Sequence, residues 1–247
     1  MLGILGRRLL LLTLVLALLA VLAGGLFREL AIINGEEIVV ALVADFLRYA
    51  LGLYALLVIT TSVAQDYELR QFERLLTMPL ARWQYIAAQV LVIASLCLLL
   101  VLPVLLVISF YSEWLVGFYW AIALWLEIFL LGLLGMLAIL SLEKIPLAVC
   151  FSVGVYFLAK LSGLITQMLE ESIRLSNGSS SDRFLDLIFS SILYLLPGLD
   201  SFADNNVFFG NVDLLGTLSA QISATVIYAL FLIAACLVDF YRKEFNS

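Results

Sequence analysis

Of this chain's 247 residues, 64% are hydrophobic and 13% charged, with a mean hydropathy of +1.15. That is more apolar surface than a water-soluble fold of this length can bury, whereas a bilayer can absorb it. A net charge of −6 argues against a nucleic-acid partner, and the lack of histidine removes imidazole catalysis, His metal ligands and Ser–His dyads.

A crossing of the hydrocarbon core takes about 20 mainly apolar residues. The first such run covers 9–27, behind Arg7 and Arg8. A basic head before an apolar run also fits a signal peptide, but this run is long for one and Gly24-Gly25 is a poor cleavage context. After the polar Asn34-Gly35-Glu36-Glu37 a second span is predicted over 39–64, and a polar loop over 65–84. A third span is expected over 85–110, kinked at Pro103. An aromatic-rich turn over 111–119, with Trp114 and Trp120, suits a membrane interface.

A fourth span follows over 118–140, a short turn at Ser141-Leu142-Glu143-Lys144, and a fifth span over 146–168 opened by Pro146. The connection 169–182 is polar and holds Asn177-Gly178-Ser179, a glycosylation tripeptide of a common kind. The run 184–196 is too short to span and ends at Pro197-Gly198, so the region 183–199 reads as re-entrant or interfacial. The last span covers 215–238. The fold class expected is therefore an all-α polytopic membrane protein, a single domain over 1–247 with six transmembrane helices.

With the N-terminus inside, Arg7, Arg8, Arg70, Arg74, Arg82, Lys144, Arg242 and Lys243 lie on the cytoplasmic side, against Arg28, Arg174 and Arg183 outside. This bias puts both termini and the 65–84 loop in the cytoplasm.

Within that loop, Leu69, Phe72, Leu75 and Leu76 share one helical face, with Arg70, Glu73 and Arg74 on the other, until Pro79 ends the helix. A charged amphipathic helix joined to two spans suits mechanical coupling to a soluble partner; the plainer reading is an interfacial helix with snorkelling arginines. Glu68, Phe72, Glu73, Leu75, Leu76, Pro79 and Arg82 follow the loop pattern of type-2 ABC transporter permeases, with Phe72 where Leu is usual and Arg70-Gln71 where Gly-Thr is usual. The chain resembles that family over its length, including Leu195-Leu196-Pro197-Gly198-Leu199 before the last span and the tail Phe240-Tyr241-Arg242-Lys243.

The resemblance implies an ATP-driven exporter subunit in a bacterial inner membrane, working with a second permease subunit and separate ABC ATPase subunits. In it, Glu68, Arg70, Phe72, Glu73, Arg74, Leu75, Leu76, Pro79 and Arg82 would form the coupling element. No Gly-rich Lys-Ser/Thr motif occurs, the lysines being Lys144, Lys160 and Lys243, so the chain is read as no enzyme and as holding no cofactor. ATP and Mg belong to the partner. A membrane scaffold and a secondary transporter without an ATPase are the rival readings.

Ionisable groups within spans are costly and therefore point to function or pairing. Glu127 and Lys160 lie at depths that a long side chain can bridge, as an ion pair, as part of a substrate path, or with the lysine snorkelling alone. Asp45 and Arg48, three residues apart, are expected to pair on one helix. Gly132 and Gly135 allow close helix approach, and Cys97, Cys150 and Cys236 read as small apolar fillers.

Overall fold

The computed structural model describes residues 15, 35–68, 82–142, 144–175, 199, 202, 208 and 214–242, the backbone alone at 35–39, 65–68, 82, 110–111 and 162–175. Among these residues the protein is all-helical. Its five long helices are α1 (Gly35–Glu68), α2 (Arg82–Tyr111), α3 (Trp114–Leu142), α4 (Ile145–Leu175) and α5 (Leu214–Arg242).

Among the described residues, four stretches are long and apolar enough to cross a membrane: Val40–Ala64, Trp83–Ser109, Trp114–Leu142 and Leu214–Arg242. Each matches a predicted span. The predicted span 146–168 lies within α4, whose described side chains carry a shorter apolar stretch, Ile145–Leu161. The predicted first span, 9–27, and nearly all of the 183–199 region lie outside the described residues.

The helices outrun their apolar cores. Helix α1 begins at Gly35 and continues to Glu68, and α4 runs on to Leu175, into segments expected to be polar connections. Extending a helix satisfies backbone groups at no apolar cost, and Glu170 and Glu171 are good helix formers. The turn expected over 111–119 is much tighter, with only Ser112 and Glu113 between α2 and α3. There the Ser112 N–H donates to the Ile108 carbonyl at 3.0 Å and the Gly117 N–H to that of Glu113 at 3.0 Å, so α3 starts at once. Pro103 sits inside an uninterrupted α2. Pro146 occupies the first turn of α4, where its missing N–H has no partner to lose.

Helix α3 is the central element and touches the other four. It is buried on nearly every side, from Gly117 and Trp120 to Ile139 and Leu140. Around it, α1 packs through a stripe at helical spacing, Val43, Ala44, Leu47, Leu51, Ala55, Ile59 and Val63. Helix α4 turns in Ala148, Ser152, Tyr156, Ala159 and Lys160. Without a hydrophobic drive in lipid, such contacts rest on close fit and small residues. A Cβ on Gly132 would stand 2.6 Å from Ile93 Cγ2 and 3.1 Å from Ile59 Cδ1, and one on Gly135 would meet the Thr60 hydroxyl. These two glycines let α1 and α2 close on α3.

The outward faces are apolar, with Leu91 and Leu106 on α2 and Ile227 and Leu230 on α5 all more than half exposed. Facing lipid, they cost nothing. Thr60 and Gly135 meet late in α1 and α3, Tyr85 stacks on Phe240 at 5.8 Å, and Ser141 lines a common groove with Asp239. The end of α1, the start of α2, the α3–α4 turn and the end of α5 therefore share one end of the bundle.

Candidate functional site

Near the middle of the bundle, Glu127 of α3 is fully buried, and its carboxylate meets two cations from two other helices. Arg48 Nε of α1 donates to Glu127 Oε2 at 2.9 Å, and Lys160 Nζ of α4 stands 2.6 Å from Oε1. The first contact is a charge-assisted hydrogen bond. The second is a direct ion pair. Both cations also reach the Leu199 carbonyl, Arg48 Nη2 at 2.6 Å and Lys160 Nζ at 3.4 Å. Lys160 Nζ further sits 5.3 Å from the centroid of the Tyr49 ring.

Local sequence puts each side chain in place. Arg48 falls on the inward stripe of α1, one residue beyond Leu47, and Lys160 lies one turn beyond Tyr156 on the inward stripe of α4. Glu127 has no outward direction available, because α3 is enclosed along its length. Moving such ions out of water costs several kcal/mol each, roughly, and the opposite charges held at contact offset that cost. The Leu199 carbonyl supplies further negative density. Buried with it are Leu199 and Phe202, and Phe208 packs its ring 6.1 Å from that of Trp120. Leu199 and Phe208 are thus fastened between them to three helices.

The structure joins Glu127 to Lys160 as a direct pair. Arg48 differs from expectation: among the described residues it pairs with Glu127 and not with half-buried Asp45. An i, i+3 pair at a surface is worth only a few tenths of a kcal/mol, about, so a buried carboxylate across the bundle outcompetes it. The Leu199 carbonyl could not have been found by side-chain reading, since a backbone acceptor carries no signature in residue type. Its nearest signal was the Pro197-Gly198 break just before it.

The expected coupling residues Arg70, Phe72, Glu73, Arg74, Leu75, Leu76 and Pro79 lie outside the described residues. Glu68 is the last residue of α1 and Arg82 the first of α2, so the segment between them joins two long apolar helices at one end of the bundle. Cys97 and Cys236 are core residues, while Cys150 faces outward from α4.

One further buried group stands near the cluster. Tyr156 is fully buried one turn from Lys160, its hydroxyl against Gly52, where a Cβ would lie 2.9 Å away. Among the described residues, that hydroxyl and those of Ser152 and Thr60 make no hydrogen bond.

Fold and site define an all-helical membrane protein with a charge cluster at its centre. Neither a family model nor a curated protein matches the chain.

Proposed function

We propose that this chain is the transmembrane subunit of an ATP-driven ABC transporter, an exporter, with six spans and both termini in the cytoplasm of a bacterial cell. A second permease subunit would complete the pathway, and separate ATPase subunits would bind ATP and Mg. The observation that carries this reading is the Glu68–Arg82 motif, with Glu73, Leu75-Leu76, Pro79 and Arg82 at the spacing of the type-2 permease loop.

Its setting supports the reading. The motif connects α1 to α2 at the bundle end that also carries Lys144 and Arg242, the end expected to face the cytoplasm. A push from an ATPase on that segment acts on both helices at once. Helix α1 carries Arg48, so movement there is transmitted to Glu127, Lys160 and the Leu199 carbonyl.

A cysteine at Glu73 in the assembled complex should cross-link to a soluble ATPase, with a yield that changes between nucleotide-free and ATP-bound states. If no ATPase accompanies the intact chain from its native membrane, the reading fails. The Arg48–Glu127–Lys160 cluster also fits an ion-coupled carrier, for which transport would continue without ATP and collapse with the ion gradient.

A further inference from the structure

Tyr85 stands in the first turn of α2, three residues after Arg82 and so about 4.5 Å along the axis from the last residue of the coupling motif. Its ring stacks on that of Phe240, with centroids 5.8 Å apart and planes within 15° of parallel, a geometry that aromatic pairs favour. Phe240 is buried near the end of α5 and is the largest member of that helix's inward stripe, Thr225, Ala229, Leu232, Cys236 and Phe240. The other members are small or aliphatic, and the Thr225 hydroxyl turns back to the Gln221 carbonyl of its own helix. Helix α5 packs chiefly on α3, and contacts of this kind permit the small shear movements of packed helices. At its end, one ring of α2 grips it.

Helix α2 itself is held farther along. The Ala94 carbonyl accepts from Trp125 Nε1 of α3 at 3.2 Å, and Ile93 packs into the space that Gly132 leaves open. Ala94 lies nine residues, about 13.5 Å, beyond Tyr85. A displacement applied at Arg82 therefore turns α2 about the Ala94 contact. Tyr85, close to the driven end, takes most of that movement.

We propose that the Tyr85–Phe240 stack is a joint through which the segment between Glu68 and Arg82 moves α5 together with the start of α2. The inference rests on the transporter reading and extends it. Helix α1 passes a push to the Arg48–Glu127–Lys160 cluster along its own backbone, whereas α2 passes it to α5 through one pair of rings. Tyr85 is thus a positioning residue, and α5 becomes a third driven helix although the segment is not joined to it in sequence.

The test uses the complex of full-length chain and ATPase purified from its native membrane, with one permease subunit carrying two spin labels. Cys150, the exposed cysteine, is first changed to serine. Distances are read by pulsed electron paramagnetic resonance without nucleotide and with ATP plus vanadate. Leu158 on the outward face of α4 is the reference, and the second label stands at Ala88 of α2 or Val238 of α5, all three exposed. With the stack intact, both distances should shift on ATP binding. Tyr85→Ala should keep the Ala88 shift and lose most of the Val238 shift, while Tyr85→Phe, which retains the ring, should keep both. A Val238 shift that survives Tyr85→Ala, a Val238 distance that stays fixed while Ala88 responds, or equal losses in Tyr85→Phe and Tyr85→Ala would each overturn the joint and leave the transporter reading standing. No shift at either position would overturn that reading and the joint with it. Should Tyr85→Ala fail to assemble, Phe240→Leu, which removes the partner ring but keeps apolar bulk, decides in its place by the same loss of the Val238 shift.

Discussion

Glu127 neutralises two cations at once, and its worth lies in what happens when it is lost. Glu127→Gln leaves Arg48 and Lys160 facing each other in a site where all three side chains are nearly or fully buried. Breaking such a cluster costs about 3–5 kcal/mol, so this variant should melt far below wild type in detergent. The triple change Arg48→Met, Glu127→Leu, Lys160→Met should recover much of the loss, because no buried charge remains. A Glu127→Gln melting point equal to wild type would show that water reaches the cluster. Tyr156 makes the opposite case. Its hydroxyl is buried without a hydrogen bond among the described residues, so Tyr156→Phe should leave stability unchanged or raise it by about 1 kcal/mol. A marked loss would reveal a bound water or another acceptor.

Between helices, fit replaces charge. Gly135 sits where a Cβ would meet the Thr60 hydroxyl, while the Thr60 Cα at 3.8 Å is in ordinary contact, so the side-chain oxygen is what resists. Gly135→Ala should therefore cost about 1–3 kcal/mol by overpacking. Thr60→Ala in that background should restore part of it, since the clash is largely with one oxygen. Melting temperatures of the two single variants and the double variant form a cycle with a coupling above about 0.5 kcal/mol. Additive losses would show that α1 and α3 do not meet at these residues. Gly154, with nothing within 4 Å of its Cβ position, is the control, and Gly154→Ala should be neutral or slightly stabilising.

Across the whole molecule, the Leu199 carbonyl ties Leu199 to α1 and α4 through one acceptor shared by two cations. Arg48→Met removes the shorter of these bonds. Amide exchange at Leu199 and Phe202 should then quicken by about ten-fold, a local loss of about 1.4 kcal/mol, while exchange in central α3 changes less. Unchanged exchange at Leu199 would mean that apolar burial of Leu199 and Phe202 holds the segment without Arg48. If α1 is driven from its Glu68 end, as proposed, the same variant should also weaken the dependence of transport on ATP.

Much of the architecture was legible in the residues because lipid imposes a simple rule: a crossing must be apolar and helical. That rule marked the four membrane-length helices found among the described residues, and comparable depth made the Glu127–Lys160 pair one of three open readings. Helix ends were less legible, since α1 and α4 extend into polar sequence by satisfying their own backbone. Which partner Arg48 takes, and that a backbone carbonyl at Leu199 completes the cluster, could be decided only by tertiary structure. Local spacing offered Asp45, but the energy of a buried charge depends on what stands opposite it across the bundle, and chain position does not encode that distance.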